Sequence, residues 1–256
     1  MIPRWLKGTL LRNGPGLQQI GLDRYKHMFD GMALLHRFSI KNGEVEYQNR
    51  FLRSDAYNRN INANRIVVTE FGTRGYPDPC KTIWQRFMSH FTPEMTDNDS
   101  VNIFAVKDQL FAATETNFIR RIDPNSLATH EKVDLSKYLT VNSATAHVHF
   151  DDKNVYNMGS SFGSKGNYNL IKIPKTEKPF ENSSIICSIK MERPLYPSYY
   201  HSFSMTENYF IFIEQPLVIS VPSLALSHIT GKSYSQSLLW KPNLMVRNLF
   251  NRLLTN

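Results

Sequence analysis

The sequence predicts an all-β fold of the sandwich, barrel or propeller class. Three observations carry that expectation: short apolar segments, turn chemistry between them, and their regular recurrence along the chain. The punctuation is Asn42-Gly43, Lys107-Asp108, Asp123-Pro124-Asn125 and Gly163-Ser164-Lys165-Gly166, residue types that tolerate or pre-set turn dihedrals.

In chain order, residues 43–52 alternate as a half-buried strand, and 64–72 read as a compact apolar strand. Residues 101–135 hold a strand, a tight turn, a second strand, and a third ending at Ile122-Asp123-Pro124. That antiparallel meander looks like most of one propeller blade. Residues 146–174 repeat the rhythm, 184–191 add a strand, and 201–217 begin the pattern again. One stretch breaks it. Residues 77–91 carry Pro77, then Ile83, Trp84, Phe87, Met88 and Phe91 with Lys81 and Arg86, a short amphipathic helix. Such a helix either packs on the sheet or dips into a membrane interface. Cys80 just before it is an inert buried thiol on the ordinary reading, and a membrane-touching one on the other.

The 256 residues, 41% of them hydrophobic, suffice for one large domain or two small ones. A mean hydropathy of −0.38 and the lack of any long apolar run exclude a transmembrane helix. The net charge of +8 is scattered, which argues against nucleic-acid binding and leaves attraction to anionic lipid headgroups open. Two cysteines, Cys80 and Cys187, make no disulfide framework and point to a reducing compartment. The glycosylation sequons at Asn98 and Asn182 read as chance matches, and the N-terminal residues show neither a signal nor a presequence pattern.

The chemistry concentrates in residues 143–152. A strand there would put His147 and His149 on one face, either the start of a metal site or two polar residues on a wet sheet. The later meanders each open with a histidine, His147 and His201. First strands of propeller blades line the central channel, so these two imidazoles would converge although distant in sequence. A cupin-type site built on His147-x-His149 is the competing arrangement. His27, His36, His90, His130 and His228 carry no metal signal.

Six segments, 8–16, 27–38, 70–81, 114–127, 143–152 and 197–217, together resemble the carotenoid cleavage oxygenase family. Within it the likeness is to the animal branch of beta-carotene oxygenases and the retinal pigment epithelium isomerohydrolase. "PDPCK" and "YYHSF" make it specific, and it extends over residues 1–242. The resemblance implies a seven-bladed β-propeller with one ferrous ion per complete propeller, held on the axis by four histidines, several of them oriented by glutamates. It assigns His147 and His201 as two of the metal ligands and Glu115 as the carboxylate behind one of them, His201. It puts Thr114 near the open coordination position, and Phe29, Phe71 and Tyr199 in the substrate cleft. Ile83, Trp84, Phe87 and Met88 become membrane contacts, His149 a neighbour of the site.

The implied activity is oxidative cleavage of a carotenoid C=C bond by dioxygen, yielding apocarotenal or retinal. Retinyl ester isomerohydrolysis and a non-catalytic carotenoid- or membrane-binding role are the alternatives. Implied partners are a carotenoid or other apolar polyene, dioxygen and a peripheral membrane surface, with no nucleic acid. The expected location is cytoplasmic and membrane-associated, with mitochondria also open.

Departures from the family pattern matter. Val148 stands where relatives carry proline, and no segment after residue 217 resembles the third or fourth ligand. Seven blades at ~40–45 residues each need about 300 residues. The expectation is therefore the N-terminal half of such a propeller, inactive alone, with residues 243–256 a divergent tail that reads as a basic amphipathic helix.

Overall fold

The computed structural model describes residues 1–85 and 95–252. It is almost entirely antiparallel β. β1 (Gly8–Leu17) leads through the small hairpin β2 (Gln19–Ile20) and β3 (Asp23–Arg24) to β4 (Met32–Lys41) and β5 (Glu44–Phe51), with order β1-β4-β5. The Asn42-Gly43 turn joins the last two, both residues at positive φ, as a tight hairpin requires. The second sheet is a four-stranded meander of β6 (Asn102–Val106), β7 (Gln109–Ala113), β8 (Phe118–Ile122) and β9 (Thr129–Asp134).

The third sheet comprises β10 (Ser143–Ala144), β11 (His149–Phe150), β12 (Asn154–Ser161), β13 (Asn167–Pro174) and β14 (Ser184–Lys190), with both β10 and β11 on β12. In the fourth, β15 (Ser204–Met205) pairs with β16 (Tyr209–Glu214). β19 (Arg247–Arg252) returns to β16 to complete that sheet, while β17 (Leu217–Ile219) and β18 (Leu238–Trp240) pair as a separate two-stranded sheet.

Apolar layers between successive sheets hold the array together. Ala33, Leu35 and Leu52 of the first meet Ala112, Ile122 and Leu127 of the second. Phe104, Phe111 and Ile119 meet Val155, Ile171 and Ile173 of the third. Tyr156, Met158 and Tyr168 then meet Phe203, Phe210 and Phe212 of the fourth. Face-to-face sheets in series are the packing of propeller blades, and here the ring is not closed. Each fully buried Leu, Ile or Phe contributes ~1.5–3 kcal/mol against exposure, so these three layers dominate stability.

Residues 64–72 are coil, not the strand expected. Ile66, Val67 and Val68 are buried as the pattern demands, but side chains claim their amides. Asn60 Oδ1 accepts from the Val67 and Val68 N–H groups at 2.8 and 3.0 Å, and Asp23 accepts from Ile66 N–H. Asn60 sits on α1 (Asp55–Ala63), a helix that Ser54 caps by accepting from Tyr57 N–H and Asn64 ends in the left-handed region. Buried Asp97 accepts from the first amides of α1 and from Arg120, whose guanidinium also reaches Asp55 at 2.6 Å.

The amphipathic stretch turns helical at residue 83 rather than 77. Thr82 and Gln85 cap it reciprocally at 2.9 and 3.2 Å, while Pro77 and Pro79 lie in the preceding turns. Ile83 and Trp84 are exposed; Phe87 and Met88 lie outside the described residues, as do His90 and Phe91. Cys80 is exposed rather than buried. Residues 247–252 form a strand on β16, not the helix that the basic pattern suggested, because all six pair along β16.

Candidate functional site

The first strand of the third sheet is broken where the histidines lie. Ala144 pairs with Gly159 and His149 with Tyr156, so residues 145–148 bulge across the gap that 157–158 span on the partner strand. Asn157 stabilises the bulge by donating to the Thr145 carbonyl at 2.9 Å, and Asn102 donates to Ala146 at 2.9 Å. The uniform strand predicted for this stretch is thus interrupted, and the same-face argument for His147 and His149 lapses. His149 instead meets the Phe203 carbonyl at 2.8 Å and packs edge-on to the Phe203 ring.

His147 meets His201, 54 residues away, Nε2 to Nε2 at 2.8 Å. The ring centroids are 4.4 Å apart at an interplanar angle of 62°. Two flanking residues lock the opposed loops. Buried Thr145 donates to the His201 carbonyl and accepts from His147 N–H, and His149 reaches the Phe203 carbonyl. His147 therefore sits between two stitches, each two residues away, tying the third sheet to the entry of the fourth.

Behind His201 stands Glu115, in the β7–β8 turn of the second sheet. His201 Nδ1 lies 2.5 Å from Glu115 Oε1. That bond makes Nδ1 the protonated nitrogen and frees the Nε2 lone pair. Tyr199 donates to the same carboxylate, 2.9 Å from Oε2 and 3.1 Å from Oε1. The two imidazoles titrate in opposite directions. The Glu115 hydrogen bond raises the His201 pKa, whereas burial, aided by the neighbouring His201, lowers that of His147. The His201 side chain is 55% exposed, so the converging Nε2 atoms open to solvent on one side.

Such an arrangement suits a divalent transition metal as half a site. Cis nitrogen ligands at ~2.1 Å from one ion lie about 3 Å apart, close to the separation here. Both donors are neutral, and the carboxylate sits one shell out, where it raises the basicity of the ligand nitrogen. Among the described residues, no third His, Cys, Asp or Glu joins the pair in a metal-binding cluster.

Thr114 is half-buried at the end of β7, next to Glu115. Phe29 and Phe71 gather around His27, at centroid distances of 4.9 and 5.2 Å, a cluster distinct from the histidine pair among the described residues. The residues that sequence reasoning missed are Thr145 and the hydroxyl role of Tyr199. A buried threonine two before a histidine carries no signal without its partner strand.

The sequence profile of the retinal pigment epithelial membrane protein family matches residues 1–249. A beta,beta-carotene 15,15'-dioxygenase of Gallus gallus is 51% identical over 250 residues, covering 93% of this chain and 48% of that protein. A mitochondrial carotenoid-cleaving dioxygenase of Homo sapiens is 47% identical, covering 96% of this chain and 44% of that protein. The chain spans about half the length of the curated relatives it matches. Among solved structures, a mutant Synechocystis apocarotenoid oxygenase aligns with a TM-score of 0.78 at 22% identity, covering 98% of this chain and 51% of that one. A cobalt-substituted form of the Synechocystis protein aligns with a TM-score of 0.77 at 22% identity, covering all of this chain and 52% of that one. That likeness establishes the fold, an open portion of the propeller.

Proposed function

The chain belongs to the retinal pigment epithelial membrane protein family, the carotenoid oxygenases, and from that premise we propose that it supplies half of a ferrous site for oxidative cleavage of a carotenoid C=C bond. The observation that carries the reading is the convergence of His147 Nε2 and His201 Nε2 with Glu115 on His201 Nδ1. His147 and His201 would hold the ion. Glu115 would keep the proton of His201 on Nδ1, so Nε2 stays available, and Thr114, next to Glu115, would lie near the place where dioxygen binds. The ion supplies the dioxygen chemistry, in which one C=C bond and one O2 give two carbonyls, so no protein nucleophile is needed.

The remaining surfaces bind and orient. Phe29, Phe71 and the Tyr199 ring offer aromatic faces to an apolar polyene. Exposed Ile83 and Trp84 support contact with a membrane surface, from which such a substrate must be drawn. No helix among the described residues is long and apolar enough to cross a membrane, so that contact is peripheral on this reading. Relatives named mitochondrial leave that organelle open beside the cytoplasm.

With two imidazoles converging among the described residues, much of a bound ion's coordination would fall to water, so on this reading the chain by itself holds iron weakly and does not turn over. The test is a chimera. This chain replaces the equivalent half of an active beta-carotene dioxygenase, and products from beta-carotene in detergent are separated by chromatography. The expected result is aldehyde products, lost on His201→Ala. An 11-cis alcohol made from a retinyl ester assigns the isomerohydrolase alternative instead, and a folded chimera with neither product sinks the reading.

A further inference from the structure

Tyr199 does more in this structure than present a ring to a cleft. Its hydroxyl is 2.9 Å from Glu115 Oε2 and 3.1 Å from Oε1, the oxygen that His201 Nδ1 meets at 2.5 Å, so among the described residues Tyr199 is the donor at Oε2 and shares Oε1 with the imidazole. No further hydrogen bond to that carboxylate occurs among the described residues. The terminal torsion of a glutamate is soft, so one bond alone does not fix its plane. We propose that Tyr199 is the positioning residue of the histidine pair, fixing the Glu115 carboxylate so that His201 keeps its proton on Nδ1 and aims Nε2 at His147. The proposal rests on the metal reading above for its purpose, but its geometry stands apart from it.

The backbone of Tyr199 suits that task. Its N–H donates to the Leu217 carbonyl at 2.8 Å, and its carbonyl accepts from Ser198 Oγ at 3.1 Å and Gln215 Nε2 at 2.8 Å. Ser198 is in turn bridged to Val218, and its N–H donates to the buried Tyr168 hydroxyl at 2.6 Å. The backbone of Tyr199 is thereby anchored to β17 and to Gln215 just past the end of β16, whereas Glu115 comes from the β7–β8 turn of the second sheet. Its single proton ties that carboxylate to the segment that also carries His201. A phenylalanine would keep the ring and its packing while leaving Oε2 without its donor.

The test reads the tautomer directly on the metal-free chain. Histidine is labelled with 15N, and long-range proton–nitrogen correlations separate Nδ1–H from Nε2–H. His201 is assigned by its loss in His201→Ala. In the parent chain His201 shows the Nδ1–H form. In Tyr199→Phe the expected result is a mixture of tautomers, and Co(II) titration shows about tenfold weaker binding, the scale seen when the outer partner of a metal ligand is removed. In a Glu115→Ala background Tyr199→Phe has no further effect on His201, since the shared carboxylate is gone. Tyr47→Phe, which removes the hydroxyl 2.6 Å from His36 Nδ1, leaves His201 unchanged and controls for generic loss of a tyrosine. An unchanged His201 tautomer in Tyr199→Phe overturns the proposal whatever the metal does. A parent chain in which Co(II) ignores His147 and His201 refutes the metal reading instead, with the tautomer pattern still deciding the role of Tyr199.

Discussion

Thr145→Val tests whether the opposed loops are stitched as described. The substitution replaces the hydroxyl by a methyl of similar size, so the main change is the loss of one hydrogen-bonding group at a buried position. That hydroxyl makes two bonds, donating to the His201 carbonyl and accepting from His147 N–H at 3.1 Å. A net contribution of ~1 kcal/mol per bond, plus the penalty for the half-buried amide left unpaired, gives about 2–3 kcal/mol. In a chain of this size that loss lowers Tm by roughly 5–10 °C. Urea denaturation followed by tryptophan fluorescence measures it, with Thr145→Ser as the variant that restores the hydroxyl and most of the stability. Because the stitch crosses from the third sheet to the fourth, the His147–His201 nuclear Overhauser contacts should also weaken. A Thr145→Val chain that unfolds within about 0.5 kcal/mol of the parent, the scatter of neutral surface changes, with those contacts intact, would refute the argument.

Two further outcomes follow from the buried polar residues under the first two sheets. Arg120→Met leaves Asp97 buried with the helix amides but without its cation, and should cost ~3–5 kcal/mol in urea denaturation; a change below about 1 kcal/mol would mean that Asp97 is satisfied by α1 alone. Asp99 is fully buried with neither oxygen in a well-formed hydrogen bond, and burial, reinforced by Asp97, holds its carboxyl well above the usual range. The folded chain thus keeps a proton that the unfolded chain releases near pH 4, so this group costs stability as pH rises above that value. Asp99→Asn, neutral throughout, should match the parent at pH 4 and become the more stable of the two as the pH rises towards 8. An equal pH slope in the two chains would contradict that.

The propeller meander was legible because period-two apolar runs and turn residues report directly on strands and hairpins. Residues 102–122 follow the predicted pattern strand for strand, and β9 (Thr129–Asp134) adds a fourth strand that the pattern did not announce. What escaped were places where a distant side chain decides the local backbone. Residues 64–72 have a strand's composition, yet Asn60 and Asp23 take the amides that a ladder would use. The tail at 247–252 has helical periodicity, but β16 offers an unpaired edge, and pairing outweighs local propensity. At the site, the pairing of His147 with His201 was readable because each opens a similar meander. The bulge that separates His147 from His149 was not, since it depends on Asn157 and Thr145 across the ladder. Nor was the Tyr199 hydroxyl, whose partner lies 84 residues away.

The central claim, that His147 and His201 rather than His147 and His149 form the metal-binding pair, is decided by Co(II) titration of the metal-free chain followed by calorimetry and visible absorption. The account predicts one weak nitrogen-ligated site, abolished by His147→Ala and by His201→Ala alike and retained in His149→Ala. Binding that survives His201→Ala but disappears in His149→Ala would contradict it.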